Sequence, residues 1–141
     1  MMHELEDLIP HRAPMLLLDS VTDTGPGYAT ARVRISSESS FFVPGKGVPS
    51  YVSIEYLAQA IAALAGAEAI EAGTPIPVGY LLGTRKFSCN DAWIPAGSKL
   101  MVHVEEDYVD GHGMGAYTGK VMGNGFEAQC RLTVFRSERA A

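Results

Sequence analysis

The chain has no cluster of lysine or arginine. Its 11 basic residues are scattered among 16 acidic ones, which leaves a net charge of -5. Phosphate backbones are gripped by grouped Lys and Arg, so this pattern argues against nucleic acid as a partner. Cysteine is scarce: Cys89 and Cys130 lie far apart with no metal-ligand spacing, and no metal or cofactor is expected. The opening MMHELED is acidic, not a basic leader followed by an apolar core, so the expected location is cytoplasmic, with reduced thiols. The longest apolar run, between Glu55 and Glu68, is well short of the roughly 20 residues that cross a bilayer. No membrane span is expected. There is no Gly-x-Ser-x-Gly elbow, no glycine-rich nucleotide loop, no internal repeat and no low-complexity tail.

What is present is apolar bulk. With 47% apolar residues among 141, the chain is expected to fold as one domain, residues 1–141, large enough to bury most of a core. LEDLIP reads as a helical turn ended by Pro10, and MLLLDSV as a strand-length apolar run. After a turn at Thr24-Gly25-Pro26-Gly27, YATARVRI alternates. Tyr28, Thr30, Arg32 and Arg34 share one face and Ala29, Ala31, Val33 and Ile35 the other, the mark of a strand with one wet face. A Ser, Gly and Pro-rich loop, SSESSFFVPGKGVPS, leads to one long helix from about Ser50 to Ala72, stopped by Gly73-Thr74-Pro75. Strand-like segments follow: VGYLLGTRKFS, SKLMVHVEEDYV, GMGAYTGKVM and FEAQCRLTVFR. The expected class is α+β, with an antiparallel sheet of five to seven strands wrapped around one central helix.

The helix has unequal faces. At about 100° per residue, Glu55, Ala58, Gln59, Ala62, Gly66 and Ala69 fall on one side, and Ile54, Leu57, Ile61 and Leu64 on the other. The bulky side suits the core. The shallow side either leaves a channel running from Glu55 or lets another segment approach closely, and both can hold along different parts of the stripe. Gln59, one turn after Glu55, either bonds it or satisfies a backbone group.

The segment LIPHRAPMLLLDSV, Leu8 to Val21, resembles the L-P-H-R-x-P-x-L-L-x-D box of the β-hydroxyacyl-acyl-carrier-protein dehydratases of type II fatty acid synthesis, the FabZ/FabA group. FFVPGKGVPSYVSIEYLAQ is similar to that group's loop and helix start, and LLGTRKFSCNDAWIPAG to its later strand opening. Their order matches, and together they cover nearly the whole chain. The pattern is also similar to divergent dehydratase-like proteins found beside aryl-polyene and related lipid biosynthesis systems.

The resemblance implies a hotdog fold, a homodimer with sheets joined edge to edge or a hetero-oligomer with another dehydratase, and elimination of water from a β-hydroxyacyl thioester on an acyl carrier protein or CoA. In that group a His removes the α-proton and an acid on the central helix serves the departing hydroxyl. Glu55 matches the acid, against a structural role in the first helical turns. The group's loop His is missing, because Phe41-Phe42-Val43-Pro44-Gly45 has no Gly-His pair. Of the four histidines, His3 is near a terminus, and His103 and His112 read as surface. His11 is the candidate substitute base, or else a packing residue, and Arg12 a partner for a local carboxylate. Ser50 caps the helix or stands where free N–H groups could polarise a thioester carbonyl. Phe41, Phe42, Tyr51, Ile54 and the strand from Tyr80 to Phe87 are the expected pocket walls. Two alternatives stay open: a thioesterase in which Glu55 activates water, and a subunit that binds acyl carriers without turnover.

Overall fold

The computed structural model describes residues 4–137; His3 lies outside them. A short helix α1 (Leu5–Leu8) precedes a hairpin of β1 (Ser20–Gly25) and β2 (Tyr28–Arg34). A two-residue strand β3 (Val48–Pro49) and a 3-10 turn (Ser50–Val52) lead into α2 (Ser53–Ala72). Then come β4 (Val78–Cys89), β5 (Trp93–Ile94), β6 (Lys99–Val109), β7 (Met114–Gly123) and β8 (Phe126–Ser137). One antiparallel sheet of six strands runs β1-β2-β6-β7-β8-β4, and β3 and β5 form a small separate ribbon. The sheet wraps α2, which is the hotdog arrangement. Among the described residues no helix is long and apolar enough to cross a membrane.

Alternation decides which strand faces meet the helix. Ala29, Ala31 and Val33 of β2, and Leu100, Val102 and Val104 of β6, are buried, as are Tyr117 and Val121 of β7 and Leu132 of β8. Their partners in sequence, including Arg32, Arg34 and the half-buried His103, point to the other face. Leu57 and Leu64 of α2 are fully enclosed. Gly119 on β7 makes room for Leu57, since a Cβ there would lie 2.7 Å from its Cδ2. The helix ends at Gly73, whose φ of 73° is the left-handed conformation of a helix C-cap.

The leucine run ahead of β1 departs from expectation. The strand starts at Ser20, not Met15. The reason is a side chain: Gln59 accepts from the Leu17 N–H at 2.9 Å and donates to the Met15 carbonyl at 2.8 Å, so these backbone groups have no need of a strand neighbour.

Candidate functional site

Glu55 sits in the first turn of α2, and Gln59 one turn later. The Gln59 amide, with no exposed surface, donates to Glu55 Oε1 at 3.1 Å while also holding Met15 and Leu17. The two readings of Gln59 are therefore both realised. The segment it anchors carries His11, whose Nε2 lies 3.8 Å from Glu55 Oε1. Arg12 stiffens that segment: its guanidinium donates to the carbonyls of Ile9, His11 and Glu6 at 2.8 to 3.0 Å and pairs with the Glu6 carboxylate at 3.7 Å. That is the local carboxylate partner expected of Arg12. His11 Nδ1 is buried and has no hydrogen-bond partner among the described residues.

Glu55 and His11 stand at one end of an apolar cavity of about 120 Å³. Its helical wall is Ala58, Ile61, Ala62 and Ala65, and β4 contributes Gly79 and Leu81. Val134 lines it, and Pro77 and Arg136 also contribute to its wall. The shallow stripe thus divides. Ala58 and Ala62 leave space, whereas Gly66 admits the N-terminal segment so closely that a Cβ there would lie 2.0 Å from the Leu8 carbonyl oxygen.

The remaining candidates are placed elsewhere. Phe41 is 52% exposed and Tyr51 66%, Phe42 packs partly buried against the core, and none of these, nor Ile54, lines the cavity. Phe41 stands at a φ of 70°. Ser50 does not cap α2, whose N-terminus has no side-chain cap. Its Oγ accepts from the Cys89 thiol at 3.4 Å and its N–H donates to the Ala92 carbonyl at 2.9 Å. The pairing of β3 with β5 brings that carbonyl alongside, so the Ser50 N–H is not free for a substrate. Of the expected β4 wall from Tyr80 to Phe87, Leu81 reaches the cavity.

Sequence reasoning missed Pro10, Pro77, Gly79, Val134 and Arg136, and it put Ile61 on the bulky core side, whereas Ile61 lines the cavity. Arg136 is the least expected of them. Its guanidinium donates to Tyr117 Oη at 2.6 Å, pairs with Glu106 at 3.4 Å and lies 3.8 Å from Glu68. Burial pushes the Glu68 carboxyl above its ordinary value, Arg136 opposes that shift, and Glu106 adds to it. Burial likewise raises the Tyr117 phenol, with Arg136 opposing.

The family model described as ApeP-like, ApeP dehydratase, matches residues 3–141. The chain is similar to a solved structure of the dehydratase heterocomplex ApeI:P from Xenorhabdus doucetiae, with a TM-score of 0.91 and 25% identity over 99% of this chain and 94% of that one. It is 34% identical over 61 residues, 40% of its length, to the bifunctional enzyme LpxC/FabZ of Porphyromonas gingivalis. It is also 39% identical over 56 residues, 38% of its length, to the uncharacterized protein YcsD of Bacillus subtilis. These matches span 13% and 43% of the two curated relatives' own lengths.

Proposed function

The chain belongs to the ApeP-like dehydratase family, and from that membership we propose that it eliminates water from β-hydroxyacyl thioesters, carried on an acyl carrier protein or CoA, in lipid or polyene biosynthesis. The observation that carries this reading is the pairing of Glu55 with His11 at the mouth of one apolar cavity. Loss of hydroxide from the β-carbon needs a proton donor, and formation of the double bond needs a base at the α-carbon. In this reading His11 Nε2 takes the α-proton, the Cβ–O bond breaks, and Glu55 in its protonated form delivers a proton so that water leaves. The two groups lie 3.8 Å apart, beyond direct hydrogen-bond reach, so in this reading the proton held by His11 returns to Glu55 through one water, which restores both for the next turnover. Gln59 fixes the Glu55 rotamer and the position of the His11 segment together.

A second reading has a specific observation in its favour. The Phe41–Gly45 loop carries no His, and the likeness to a dehydratase heterocomplex suggests a subunit that gives the acid while its partner gives the base. The place for such a partner in this reading is β4, one of the two edge strands of the sheet. It leaves Tyr80, Leu81 and Leu82 exposed beside Gly79 and Leu81 of the cavity wall. Exposed apolar edges of this kind are commonly covered by another chain.

The test is hydration of a crotonyl thioester by the purified protein, alone and mixed with a dehydratase subunit that carries the Gly-His loop. Loss of activity in both Glu55→Gln and His11→Ala supports the pair. Activity that appears only in the mixture and survives His11→Ala supports the shared site. Rapid turnover that survives Glu55→Gln overturns both readings, and release of free thiol would point to hydrolysis instead.

A further inference from the structure

Ala65, Pro77 and Arg136, which line the cavity beside Glu55, also line a wider groove of about 890 Å³, bounded by Thr74 and Pro75 after α2 and by His112 in the β6–β7 turn. Between Glu55 and Ala65 the helix advances by ten residues, or about 15 Å at 1.5 Å each. An extended chain with carbon–carbon bonds of about 1.5 Å advances roughly 1.3 Å per bond, so about a dozen carbons reach the junction. Longer chains would emerge into the groove.

The junction has a definite charge. The Arg136 guanidinium is already engaged by Tyr117, Glu106 and Glu68, so its one positive charge is shared between two carboxylates. Among the described residues, this cluster has no cation to spare for an anionic chain end and carries two carboxylates against one guanidinium.

We propose that cavity and groove form one open-ended acyl channel, in which the Arg136 junction admits uncharged acyl chains longer than about a dozen carbons and disfavours chains that end in a carboxylate. The inference rests on the acyl-thioester reading above but can fail separately from it, because binding of saturated chains involves no turnover. The probes are saturated acyl-pantetheine thioesters of eight to eighteen carbons, with a sixteen-carbon chain ending in carboxylate for comparison, titrated by calorimetry.

Affinity is expected to keep rising past twelve carbons, since each further methylene is still partly removed from water. The carboxylate-ended chain is expected to bind about tenfold more weakly than its methyl-ended counterpart, and Glu106→Gln to narrow that gap. Ala65→Phe, at the junction, should flatten the profile beyond twelve carbons. Should that variant fold poorly, Thr74→Trp plugs the groove from its solvent side and reads the same outcome. A plateau or fall at twelve carbons in the unaltered protein, or equal binding of the two chain ends, overturns the proposal. Failure of crotonyl hydration with the length profile intact would count against the dehydratase reading alone.

Discussion

The two long sides of α2 differ above all in the size of their residues. On the core side, Leu57 and Leu64 fill the concave face of the sheet with no exposed surface, and Gly119 is cut back to receive Leu57. On the other side, Ala58, Ala62 and Ala65, with Ile61 the one large helical residue beside them, face β4 and leave a cavity, with Glu55 at its mouth. One helix therefore serves two ends. Bulk on one side holds the fold together, and the lack of bulk on the other supplies room for a ligand next to an acid. The difference teaches that stability and site chemistry should separate under mutation, each confined to its own side.

The largest separation is expected at Glu55. Glu55→Gln removes the proposed proton donor but keeps an amide that can still meet Gln59. Dehydratase activity should fall by about 10² to 10⁴, while the melting temperature stays close to that of the unaltered protein. The assay is crotonyl thioester hydration beside a thermal melt. A large drop in melting temperature would break the comparison, because the acid would then be holding the fold.

Next in size is a pair of substitutions on the opposite sides. Leu57→Ala opens a void in the packed face and should cost about 2–5 kcal/mol of unfolding free energy. Ala62→Leu adds bulk where space already exists and should cost less than the roughly 1–3 kcal/mol of overpacking a filled core. Urea titration of both measures the contrast. Equal losses would mean that the cavity side is packed as tightly as the core.

Most of the fold was legible in the sequence, and the reasons are local. The period of the helix set Glu55 and Gln59 on one side, and strict alternation set which faces of β2 and β6 are buried. The Pro-His-Arg box singled out His11 through family resemblance alone. Two things were hidden. The leucines before β1 look like a strand, and only the distant Gln59 shows why they are not one. Arg136 reads as an ordinary charge near the end of β8, and Pro77, Gly79 and Val134 carry no mark of a cavity. Their roles come from strands that meet α2 only in three dimensions. Phe41 and Tyr51 misled for the opposite reason: aromatic residues were expected inside, yet both are exposed.

Gln59 sharpens the comparison, because it belongs to the cavity side and yet is fully buried. Gln59→Leu keeps the volume but strands the Leu17 N–H and the Met15 carbonyl. An unsatisfied buried backbone group costs about 1–3 kcal/mol, and some relaxation of the segment towards water would hold the total near the low end. The expected result is a loss of about 2 kcal/mol with faster proteolysis between Pro10 and Leu17, and activity lost beyond what the stability change explains. Unaltered proteolysis would show that Arg12 anchors the segment without help.

The smallest effect belongs to the charged cluster beyond the cavity, at Glu68. Burial lifts its carboxyl above the ordinary value more than Arg136 lowers it. The folded state therefore holds that proton to higher pH than the unfolded chain does, and binds more protons in the window between the ordinary and the raised value. Stability attributable to Glu68 must fall as pH rises through that window and stay lower above it. Glu68→Gln removes the titration while keeping a polar group near Arg136. At neutral pH the variant should be slightly more stable than the parent, and the gain should vanish below the ordinary glutamate range. Because the Glu68 side chain is 38% exposed, solvent screens much of the interaction, and the gain should stay within about 0.5 kcal/mol. Urea midpoints at neutral and acid pH read this directly. A variant less stable than the parent at neutral pH would show that the ion pair with Arg136 outweighs the burial of the carboxylate.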